Sequence, residues 1–108
     1  MNFKDIADRF EHGNSGSESF KTLFKESFLA MQSDPENAGL YFVIGVAARA
    51  YVNTYEDQAV SAEFADRAKA IIVGYNAQVC QALAADPATR FRVASEVAMD
   101  YEWKVPHF

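Results

Sequence analysis

Chemistry needs polar groups that can meet, and this chain of 108 residues offers few of them. Its two histidines are His12 and His107, and its single cysteine is Cys80. No His-x3-His pair, CxxC motif or neighbouring His and Cys supplies the ligand spacing of a metal site. Asp8, Glu11 and His12 can share one helix face, because residues three and four apart are neighbours there. Charges near a helix end are also the ordinary response to the helix dipole, and no metal is expected. One cysteine excludes an intrachain disulfide, and nothing next to it in the chain activates it, so Cys80 reads as a small buried residue. Adjacent carboxylates, Glu56 with Asp57 and Asp100 with Glu102, do acid and base work only in a cleft that raises one pKa. At helix ends they are solvated. No GxGxxG or GxxxxGK[ST] run is present, and no Gly-x-Ser-x-Gly elbow. The chain therefore reads as a non-enzyme without a cofactor.

Surfaces are the remaining place for function. Tyr55, Glu56 and Asp57 end one predicted helix while Glu63 and Asp66 open the next, gathering carboxylates and a phenol at one tip. That composition suits contact with the Arg and Lys side chains of a basic protein. Glu63 and Asp66 also favour the start of their own helix through its dipole. Glu96, Asp100, Glu102 and Trp103 form a rival patch, in which the tryptophan is either a binding hot spot or a lid over the core. A third feature is a seam of small residues, Ala70, Val73, Ala77, Cys80 and Ala84, with Gly74 among them. Surface helices normally carry Lys and Glu on such a face. Another helix of this chain or a second copy must cover the seam, which makes a homodimer the first alternative.

These residues are positioned by helices, because the apolar spacing is helical nearly everywhere. Phe3, Ile6, Ala7 and Phe10 make a stripe behind an Asn2 cap, with Asp5 three positions on and Gly13 at the end, giving a helix near 2–12. Phe20, Leu23, Phe24, Phe28 and Met31 repeat over 17–33. Asp34-Pro35 and Asp86-Pro87 each offer an N-cap followed by proline at the first helical position, and they start helices predicted at 35–56 and 87–102. Ser61 caps the remaining helix, 61–85. In the third helix Leu40, Ile44, Ala47, Ala48, Tyr51 and Tyr55 form one face, and Phe42, Val43, Val46 and Ala50 cover much of the rest, which predicts burial all round. In the fifth, Phe91, Ala94, Val97, Ala98 and Tyr101 are expected inward. Gly39, Gly45 and Gly74 sit inside apolar helices and are expected to allow close helix packing. Pro106 forbids further helix. The expectation is one all-α domain over 1–108, a compact bundle of about five helices.

Composition narrows the partners. With 15 acidic and 10 basic residues the net charge is −5, so a phosphate backbone is repelled and no nucleic acid is expected. The apolar run Leu40 to Ala48 stops at Arg49, well short of the roughly 20 residues that span a bilayer, and no membrane is expected. "MNFKDIADRF" has no continuous apolar region of the secretory kind, and a cytoplasmic protein is expected. Nine phenylalanines, five tyrosines and a tryptophan leave an apolar ligand cavity as a second alternative, although these aromatics fall on the core stripes.

A small, acidic, helical domain without catalytic groups resembles bacterial immunity proteins of the colicin and contact-dependent-inhibition types. The resemblance lies in size, charge and helicity along the chain, and it assigns no individual residue. It implies a cytoplasmic protein that neutralises a basic toxin, often a nuclease, by covering or flanking its active site.

Overall fold

Asn2 starts the first helix with a reciprocal pair of bonds. Its Oδ1 accepts from the Asp5 N–H at 3.0 Å, and its own N–H donates to Asp5 Oδ2 at 3.4 Å, pairing two donors that helix starts leave open. The helix, α1, runs Phe3–His12 and buries Phe3, Ile6, Ala7 and Phe10. The structure is a computed structural model that describes residues 2–104. Four more α-helices follow: α2 (Ser17–Ser33), α3 (Ala38–Tyr55), α4 (Ala62–Leu83) and α5 (Pro87–Met99), the last continued by a π-helical turn, Asp100–Lys104. No strand occurs among the described residues, and the fold is the expected all-α bundle. The predicted stop at Pro106, and His107, lie outside the described residues.

The two Asp-Pro signals diverge. Asp86 caps α5, its Oδ1 accepting from the Thr89 N–H at 2.8 Å. Asp34 makes no such bond; its carboxylate accepts from the Tyr41 hydroxyl at 2.6 Å and from Asn37 Nδ2 at 2.8 Å. The chain passes through a short 3-10 turn, Pro35–Asn37, and α3 begins only at Ala38 rather than at 35. Tyr41 is buried, and a buried phenol needs an acceptor, which the carboxylate supplies.

An aromatic ladder joins four helices. Phe10 of α1 meets Phe20 of α2 edge-on with centroids 5.1 Å apart, and Phe20 stacks on Tyr51 of α3 at 4.0 Å. Tyr51 and Tyr55 lie 5.3 Å apart, and Tyr55 meets Phe64 of α4 edge-on at 4.9 Å. Such pairs add to the area they bury, by about 0.5–1.5 kcal/mol each. The α2–α3 seam closes on Gly45, where a Cβ would stand 2.7 Å from Phe28 Cδ1. Arg49, one turn on from Gly45, lies over that ring, its Cζ 4.8 Å from the centroid.

Three expectations about exposure are corrected. α3 is not buried all round: Phe42 is 48% exposed, and Val43, Val46 and Ala50 are half-buried. In α5, Val97 is buried and Ala94 and Tyr101 are half-buried, but Phe91 is 78% exposed and Ala98 is exposed too. Both lie about 100 to 120° round the helix from Val97, beyond the face that meets α3 and α4. Gly39 and Gly74 face open space, so Gly45 alone of the three helical glycines is a packing device. Among the described residues no helix is long and apolar enough to cross a membrane.

Candidate functional site

At the tip between α3 and α4, the turn 56–61 and the Ser61 cap, whose Oγ accepts from the Phe64 N–H at 3.1 Å, bring the predicted acidic residues to one end. They do not act alike. Glu56 pairs with Lys21 of α2, which also pairs with Glu18 at 3.3 Å. Those two carboxylates raise the Lys21 pKa, Glu56 contributing first. Asp66 accepts from Ser15 Oγ at 2.6 Å, fastening the loop before α2 to α4. Tyr55 is half-buried in the aromatic ladder, so its ring is committed to the core. Asp57 and Glu63 stay exposed on either side of the exposed Val60.

The rival patch is arranged differently. Glu96 pairs with Arg92 one turn back at 2.6 Å. Asp100 accepts from the Tyr75 hydroxyl of α4 at 2.7 Å, a bond that holds the end of α5 on the bundle. Burial pushes the Tyr75 phenol up first, and this bond adds to it. Glu102 is exposed, and Trp103 is 75% exposed, with Met99 exposed nearby in the chain. Trp103 is therefore an outward ring and not a lid.

The small-residue seam of α4 is shared between α1 and solvent. Val73 and Cys80 are half-covered, while Ala70, Ala77 and Ala84 are exposed. α1 packs along this side of α4 and encloses a hollow of about 210 Å³ between Lys4, Ala7, Asp8 and Glu11 on one wall and Val73, Asn76, Ala77 and Cys80 on the other. A second hollow, about 460 Å³, continues past Lys4 and Cys80 to Phe3, Tyr41, Leu83 and Ala84. Burial raises the Cys80 pKa, and the nearby Asp8 carboxylate adds to that. Lys4 and Asp8 pair at 3.0 Å, and His12 Nδ1 lies 2.8 Å from the Asp8 carbonyl. No group of three His, Cys, Asp or Glu side chains among the described residues could hold a metal ion.

Asn76 escapes a reading of the sequence for chemistry. It is 2% exposed, and neither its Oδ1 nor its Nδ2 has a partner among the described residues. The signal is present all the same, because position 76 lies four residues after Ile72 and three before Val79, in register with the buried stripe.

Comparisons with protein-family models, with curated proteins and with solved structures give no match to this chain.

Proposed function

We propose that this chain is a non-catalytic protein-binding domain of the immunity type, which neutralises a basic toxin in the cytoplasm. The observation that carries the reading is Trp103, 75% exposed beside Glu102 and within a few residues of Met99 and Glu96. An outward tryptophan among carboxylates matches the composition of binding hot spots, and the overall charge of −5 steers a basic partner toward it. Asp57 and Glu63 at the tip supply a second acidic surface, while Tyr55 there is committed to the aromatic ladder. The homodimer reading is supported by the exposed Ala70, Ala77 and Ala84 of the seam.

The test is affinity capture from the native cell with the wild-type chain and with Trp103→Ala, at low and high salt. The reading expects one basic protein held in fixed ratio by the wild type, released by salt, and weakened by about 2 kcal/mol or more in the variant. That protein, expressed alone, should arrest growth, and co-expression of this chain should restore it. A captured protein held equally by both chains, or one without toxicity, sinks the reading.

A further inference from the structure

We infer that the hollow between the start of α3 and the first turns of α5 binds a small aromatic carboxylate, the Arg90 guanidinium taking the carboxylate and Phe91 the ring. A cation, a space and a ring carry the inference.

The cation is Arg90, which is half-buried and makes no ion pair among the described residues. Its Nη1 donates to Asn37 Oδ1 at 3.1 Å. Its Nε is buried without a partner and out of reach of any ligand. Nη2 is neither buried nor bonded among the described residues, and it is the open end of the fork. The nearby aspartates are already engaged. Asp34 accepts from Tyr41 and Asn37, and Asp86 accepts from the Thr89 N–H. Tyr41 first and Asn37 second hold the Asp34 carboxyl low, and Arg90 adds only the smallest share. A guanidinium with an open edge favours a carboxylate, because the bonds between them are charge-assisted.

The space is a hollow of about 300 Å³ beside this cation, walled by Gly39 and Leu40 of α3 and by Pro87, Phe91 and Ala94 of α5. Its size is at the lower end of small-ligand clefts, and its walls are apolar apart from Asn37, Arg90 and the exposed Glu36. Gly39 keeps the α3 wall open, since a Cβ there would meet nothing within 4 Å. Both helices begin at this hollow, so their dipoles favour an anion in it, while Glu36 opposes one.

The ring is that of Phe91, 78% exposed. It stacks on no other ring among the described residues. An aromatic ligand covers a face that water now meets, and ring contact adds to the area buried. Neighbours on a helix point about 100° apart, yet Arg90 and Phe91 line the same hollow. The ligand therefore needs a short spacer between its ring and its carboxylate.

The probe is 3-phenylpropanoate, titrated into the isotope-labelled chain while the Gly39 N–H and Arg90 side-chain resonances are followed. It should bind at least about tenfold more tightly than 3-phenylpropanamide, which lacks the charge, and than acetate, which lacks the ring. Arg90→Met keeps the stem and should weaken binding at least about tenfold. Gly39→Leu puts a side chain into the open space without altering Arg90. It should block binding while the melting temperature holds or rises, because glycine is a poor helix former. Glu36→Gln removes a like charge and should tighten binding about twofold at low salt. A polypeptide ending in phenylalanine offers the same two groups, so acetyl-Ala-Ala-Phe with a free carboxylate distinguishes the sources. If it binds about tenfold more tightly than the free acid, the hollow receives a chain end and the small-ligand inference is overturned. Equal binding of acid and amide, undiminished binding by Gly39→Leu, or no resonance shift at about 10 mM acid also overturns it. Should Arg90→Met fail to fold, Gly39→Leu carries the same test. The toxin-neutralising reading is tested at Trp103, which does not line this hollow, so either can fail while the other stands.

Discussion

Small residues line two helix–helix seams of this molecule and have opposite effects. Between α2 and α3, Gly45 removes a Cβ so that the Phe28 ring can lie against the α3 backbone. Arg49 closes over the ring, and the seam is filled. Between α1 and α4, Val73, Ala77 and Cys80 leave hollows, and the Asn76 carboxamide is buried beside them without a partner among the described residues. The difference comes from the opposing helix. α2 brings an aromatic ring to its small residue, whereas α1 brings Ala7 and charged side chains, which leave the apolar space empty. A run of small residues thus marks a close approach only when the facing helix supplies something large.

Breaking the filled seam should have the largest effect. In Gly45→Val the new Cβ meets the Phe28 ring below ordinary packing distance, and overpacking of this kind costs about 1–3 kcal/mol. Gly is also a poor helix former, which returns up to about 1 kcal/mol when it is replaced. A net destabilisation of about 2 kcal/mol is expected, because valine is β-branched and pushes the ring outward, away from the Arg49 guanidinium that now covers it. Urea unfolding with an unchanged m-value would measure it. A stable variant would show that Phe28 swings aside freely and that this seam is no tighter than the other.

The far end of the α1–α4 hollows gives a medium effect. Tyr41→Phe removes the hydroxyl that bonds Asp34, at about 1–2 kcal/mol for a bond to a charged acceptor. The bond from Tyr41, followed by that from Asn37, holds the Asp34 carboxyl below its usual range. Its folded pKa is depressed, so its contribution is complete above about pH 4 and is lost as pH falls through the folded value. The variant should unfold less steeply with acid over that window. On the alkaline side burial first, then Asp34, raises the Tyr41 phenol. That contribution is complete below about pH 10 and disappears as pH rises toward the folded value. The variant should lose less stability there. Chemical denaturation across both limbs checks both signs, and parallel wild-type and variant curves would refute the assignment.

The helices were legible because their apolar spacing and caps are local signals. Asn2, Ser61 and Asp86 cap as their sequence positions suggest. Asp34 carries the same Asp-Pro signal as Asp86, yet its carboxylate goes to Tyr41, seven residues on. A local motif lost to a buried hydroxyl that the motif does not contain. Phe91 was misplaced for a related reason. An apolar residue on the edge of a stripe is covered only if the neighbouring helices extend that far, and α3 and α4 do not cover it. The candidate surfaces were legible as compositions and not as sites. Lys21 reaches Glu56 across 35 positions of sequence, and Ser15 reaches Asp66 across 51. No spacing rule within one helix could announce either pair.

The smallest effect sharpens the contrast between the seams most directly. Ala77 is exposed on the α4 wall of the smaller hollow. In Ala77→Glu the added side chain has solvent to enter, and both residues are good helix formers, so stability should change by no more than about 0.5 kcal/mol. The same substitution places a charge in the middle of any interface built on Ala70, Ala77 and Ala84, where a second copy would bring an identical charge nearby. Sedimentation of wild type and variant therefore separates an unfilled seam from an interface between copies. Equal monomer masses leave the seam unfilled. A wild-type dimer that the variant converts to a folded monomer assigns the seam to self-association.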